Sequence, residues 1–63
     1  MRYYANIRRS AVYRIDEELN GYYINEKEKD WVESQDVLRV PHDTTHFDEI
    51  SKQEAYSIIV GWK

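Results

Sequence analysis

The sequence predicts an α+β fold over residues 1–63: a small three- or four-stranded, mostly antiparallel sheet with an Asn20-Gly21 hairpin and one C-terminal helix packed on one face. Three observations predict it. Apolar and polar residues alternate from Tyr3 to Asn25, an Asn20-Gly21 pair separates two of the alternating runs, and the segment after Ile50 carries a capped apolar stripe at helical spacing. Two layers are the least that buries the apolar side of both a sheet and a helix.

The first strand is read from Tyr3, Ala5 and Ile7 alternating against Tyr4, Asn6 and Arg8, the period of two of a half-buried strand. In the next run Ala11, Tyr13, Ile15 and Leu19 fall on one face, with Val12, Arg14, Asp16 and Glu18 on the other. Asn20 and Gly21 both tolerate the positive φ that a type I′ turn demands, and the twist of that turn suits its flanking strands. A tight loop there predicts Leu19 opposite Tyr22 and Glu17 opposite Ile24, so the apolar face continues onto Tyr22 and Ile24. Residues 26–30 are all charged and read as a solvated turn, after which Trp31, Val32 and Glu33 begin a third strand. Val37, Leu38, Arg39 and Val40 favour extended backbone through β-branching, and Pro41, with no amide proton to give, ends that element. Residues 42–49 show no period and are expected to form a loop.

The helix follows from Ser51 as N-cap, Glu54 completing a capping box, and Ile50 placed to staple onto Ala55. Ala55, Ile58, Ile59 and Trp62 recur at i, i+3, i+4 and i+7 as one stripe, and Lys63 suits the negative end of the helix dipole. So short a helix does not persist alone in water, which requires its stripe to lie on the sheet. The expected core joins Tyr13, Ile15, Leu19, Tyr22, Ile24, Trp31, Leu38 and Ile50 to that stripe.

Composition narrows the function. The chain has no cysteine, which excludes disulfides, thiolate metal sites and cysteine nucleophiles. No apolar run approaches the roughly 18 residues of a membrane span, and the first residues lack the apolar core of a signal peptide, so a cytoplasmic location is expected. Glu17, Glu18, Glu26 and Glu28 surround a hairpin tip where water keeps them ionised, whereas acid–base catalysis needs burial. No serine sits in a Gly-x-Ser-x-Gly elbow, and the two glycines make no phosphate loop. No enzymatic activity and no cofactor are expected.

What stands out is aromatic density, with six tyrosines, two tryptophans and one phenylalanine. Adjacent strand residues point to opposite faces. With the helix over Tyr13 and Tyr22, residues Tyr4 and Tyr23 then lie on an open face near Arg8, Arg9 and Arg14. Tyrosine and arginine dominate interface hot spots. This predicts a non-enzymatic interaction or regulatory domain that engages a protein partner or a second copy of itself.

Three alternative readings accompany it. A nucleic-acid module would stack bases on the tyrosines and place Arg2, Arg8, Arg9 and Arg14 on phosphates, against a net charge of -3. An acidic inhibitor or nucleic-acid mimic would use the hairpin-tip carboxylates. A small metal-binding protein would pair His42 and His46, four apart, with Asp43 or Asp48, although Pro41 opposes the helix that aligns them.

Overall fold

The computed structural model describes residues 1–28 and 30–62. Five strands and two helices follow in order: β1 (Arg2–Asn6), β2 (Ala11–Ile15), β3 (Gly21–Asn25), β4 (Val32–Glu33), a 3-10 helix (Gln35–His42), β5 (Phe47–Ile50) and α1 (Lys52–Gly61). The strands form one antiparallel sheet in the order β4-β3-β2-β1-β5. The α+β class is as expected, with one or two more strands than the sequence suggested. The expectation for Lys63 at the helix end lies outside the described residues.

The β2–β3 hairpin forms with a different turn and register. Asp16 takes over the loop: its Oδ1 accepts from the amides of Glu18 and Asn20 at 3.0 and 2.9 Å, and its Oδ2 accepts from the Asn20 side chain at 3.2 Å. The chain therefore leaves β2 at Ile15 and re-enters at Gly21, which pairs with it. Val12 faces Ile24, Tyr13 faces Tyr23 and Arg14 faces Tyr22. An odd offset from the tight-turn register exchanges faces, so Tyr13 and Tyr22 lie on opposite sides of the sheet. Gly21 has no positive φ. It is glycine because a Cβ would stand 2.8 Å from Val37 Cβ and 2.9 Å from the Ser34 carbonyl oxygen.

Residues 35–42 are the second correction. Val37 and Val40 are three apart, and in a 3-10 helix such residues eclipse one another on one face. Both are buried. Ser34 caps the start by accepting from the Asp36 amide. Pro41 lies inside this helix because its fixed φ matches the 3-10 value. The β-branched pair that suggested a strand thus serves as a short apolar ridge. Residues 47–49, expected within a loop, form β5 together with Ile50 on the outer side of β1, with Tyr3 opposite Ile50 and Asn6 opposite Phe47.

The sheet is consequently covered on both sides. On one side Tyr3, Val12 and Ile24 close around Ala55 of α1, with Trp31, Ile50, Ile58, Ile59 and Trp62 packed against them. On the other, Tyr4 and Ile15 meet Val37 and Val40, bordered by Tyr13, Tyr23, Leu38 and Phe47. The helix behaves as its sequence requires: Ser51 Oγ accepts from the Glu54 amide at 3.0 Å, and the stripe faces the sheet. The Trp62 indole donates to the Arg9 carbonyl at 3.0 Å, fixing the end of α1 to the β1–β2 turn. Leu19, expected in the core, is 69% exposed.

Candidate functional site

The open aromatic face does not assemble, because the 3-10 helix occupies it. Tyr4 is 4% exposed, and Tyr23 is half-buried beside it. Arg14 projects from the other side of the sheet. There its guanidinium lies 4.2 Å from the Trp31 ring centroid and 5.1 Å from that of Tyr22. The Tyr56 hydroxyl stands 3.5 Å from Arg14 Nη1, while Arg14 Nε is buried with no acceptor among the described residues. Stacking on two rings is how a guanidinium is held in a partly apolar setting, and it makes Arg14 part of the packing under α1.

The basic first quarter is partly neutralised by the fold. Arg2 pairs with Glu49 at 3.1 Å and Arg9 with Asp48 at 3.0 Å. Both carboxylates belong to β5, the strand that the sequence did not reveal. Arg9, at φ 57°, is held in the turn by Asn6, whose side chain also accepts from the amides of Ser10 and Ala11. Of the five residues expected to form an interaction patch, Arg8 alone is exposed.

The histidine loop is organised by Asp43. Its Oδ1 accepts from the amides of Thr45 and His46, and His46 Nδ1 lies 3.0 Å from its Oδ2. The hydrogen bond from the His46 side chain, more than the backbone amides, holds the Asp43 carboxyl below its ordinary value of 3.8. His42 ends the 3-10 helix, and Asp48 is engaged by Arg9. Among the described residues, no three histidine or carboxylate groups come together to hold a metal ion.

A groove of about 480 Å³ lies between the 16–20 loop and the 3-10 helix. Ile15, Leu19, Leu38, Pro41 and Met1 form its apolar walls. Asp16, Glu17, Arg2 and His42 complete the lining. Leu38 and Pro41 share a side of the 3-10 helix by the same spacing of three that buries Val37 and Val40. The volume lies within the usual range of small binding sites.

Leu19 defines the groove. It has φ 65°, a left-handed conformation that costs an ordinary residue about 1–2 kcal/mol and that asparagine tolerates better. The Asp16 hydrogen bonds impose it, and the Leu19 amide donates to the Asp16 carbonyl at 3.1 Å. The result is a large apolar side chain held in water by a strained backbone. Sequence periodicity cannot show this, because it assigns Leu19 to a strand; the Asp16-to-Asn20 spacing of an Asx-closed loop was the available signal.

The loop has an expected acid limit. Asp16 titrates below its ordinary 3.8, first because the Asn20 amide donates to it, with smaller help from the Asn20 side chain, the Glu18 amide and the amino group of Met1. A depressed folded-state value stabilises the fold above the unfolded value, and that stabilisation is lost as pH falls through the folded one. The Glu18 and Asn20 amide resonances should therefore titrate together with a midpoint below 3.8. A midpoint at or above that value would show that these hydrogen bonds do not hold the loop. No family model, curated protein or solved structure matches this chain.

Proposed function

We propose that this chain is a non-enzymatic interaction domain that receives a partner polypeptide in the groove between the 16–20 loop and the 3-10 helix. One observation carries the reading: Leu19 is 69% exposed on a backbone at φ 65°. Exposure and strain each work against stability, and strained residues concentrate at sites of recognition. Large apolar side chains around a groove supply the desolvated contacts on which binding depends. Nucleic-acid binding is the weaker reading, because Glu49 and Asp48 already engage Arg2 and Arg9.

Leu19→Asn separates folding from recognition. Asparagine relieves the left-handed strain, so the variant should melt at the same temperature as the parent or a higher one, by about 1–2 kcal/mol at most. It should also lose whatever native partner the parent retains from its source cell, as measured by affinity capture and quantitative mass spectrometry. Equal retention by the two proteins, or nothing reproducible on the parent, would refute the binding role.

A further inference from the structure

Resting on that binding role, we infer that the occupant of the groove is a linear polypeptide segment carrying one large apolar anchor flanked by lysine or arginine. The walls supply the anchor site. Ile15, Leu19, Leu38 and Pro41 face an open volume of about 480 Å³, and Leu19 and Met1 are themselves 69% and 54% exposed.

Carboxylates border that volume. A second depression of about 290 Å³ adjoins it, lined by Met1 with Asp16, Glu17 and Glu18, and shares three of these residues with the groove. Among the described residues no cation forms an ion pair with any of the three carboxylates. The Met1 amino group draws on Asp16 without pairing with it. The one arginine of the lining, Arg2, is committed to Glu49 at 3.1 Å.

An apolar trough thus borders three carboxylates that form no ion pair among the described residues. A partner with basic residues beside its anchor meets attraction there, whereas an acidic one meets repulsion at the same place. Asp16 stays ionised through the hydrogen bonds it accepts. Glu17 and Glu18 are exposed, so their side chains can turn toward a bound chain. The carboxylates beside the groove therefore favour a segment whose basic residues lie next to its anchor.

The test titrates the full chain, labelled with nitrogen-15, with three sets of short synthetic peptides. Each peptide carries a single Leu, Ile or Phe anchor whose neighbours are Lys and Arg, Gln, or Glu. The basic set should shift the amide resonances of Ile15, Leu19 and Leu38 saturably, with affinity at least about tenfold above the acidic set, and should weaken with added salt. The double variant E17K/E18K, first shown to melt like the parent, should lose or invert that preference.

Neutral or acidic peptides binding the groove as well as basic ones would overturn the inference and leave the binding role standing. Silence from all three sets would overturn the inference, with the binding role then judged by the Leu19→Asn comparison. Shifts at these residues that grow with protein concentration alone, at a dimer mass in sedimentation, would assign the groove to a second copy of the chain and also overturn the inference.

Discussion

Replacing Gly21 with alanine is expected to destabilise the fold by about 1–3 kcal/mol, the usual cost of forcing extra volume into a closed core. The added Cβ would meet Val37 Cβ at 2.8 Å, the Ser34 carbonyl oxygen at 2.9 Å and Val37 Cγ1 at 3.2 Å. None of these is the far end of a flexible side chain. The Ser34 amide donates to the Gly21 carbonyl at 2.9 Å, and the Ser34 carbonyl accepts from the Val37 amide, so the crowded atoms also tie the 3-10 helix to β3. Relief requires lifting that helix off the sheet, which uncovers Val37 and Val40.

Two companion variants separate this cause from others. Gly21→Asn distinguishes lack of space from a need for positive φ, because asparagine tolerates a left-handed turn and would be accepted if conformation were the reason. Here it should cost at least as much as alanine. Gly61→Ala adds a Cβ that meets nothing within 4 Å, and in a helix it should be neutral or stabilise by up to about 1 kcal/mol. Urea-unfolding midpoints of the three variants provide the measurement. A tolerated asparagine with a damaging alanine would defeat the packing explanation.

Truncating Tyr3 to alanine should have a larger effect. Tyr3 is 6% exposed and packs with Val12, Ile24 and Ala55, its ring set edge-on to Tyr56 at 6.1 Å. It stands between β2 and β5, opposite Arg14 and Ile50. Removing a buried aromatic ring costs about 3–5 kcal/mol, which equals the net stability that a core of this size usually supplies. The variant should therefore be largely unfolded at room temperature, with collapsed amide dispersion and no cooperative melt. Tyr3→Phe keeps the ring and should fold. A cooperative transition for the alanine variant within a few degrees of the parent would show that α1 is not held through this residue.

The local features of this fold were legible in its sequence, and the non-local ones were not. Ser51 and Glu54 announce the helix start because capping is decided within one turn, and the stripe from Ala55 to Trp62 announces its buried side. The hairpin was legible as a pair of strands, but its register was not. Asn20-Gly21 normally makes the turn, whereas here Asp16 closes a longer loop and the glycine is needed for close approach to Val37. β5 was invisible because Asp48 and Glu49 interrupt any apolar pattern; they are acceptable on an edge strand, where charge also discourages pairing with other chains. The 3-10 helix was masked because β-branched Val37 and Val40 favour extended backbone and Pro41 reads as the end of a strand. The groove was hidden for the same reason as the register. Its central residue, Leu19, reads as core in a tight hairpin and becomes a solvent-facing side chain only when the loop is Asp16's.

The indole of Trp62 bonded to the carbonyl of Arg9 joins positions 53 residues apart, and this bears on how the protein is made. A ribosome releases β1, β2 and β3 early, as a meander able to pair at once. Its two greasy sides nonetheless stay wet until the 3-10 helix has emerged for one and α1 for the other. β1 keeps a free edge until β5 arrives. Maturation thus awaits the release of Trp62, and until then the nascent ribbon carries exposed apolar surface and an unpaired strand edge.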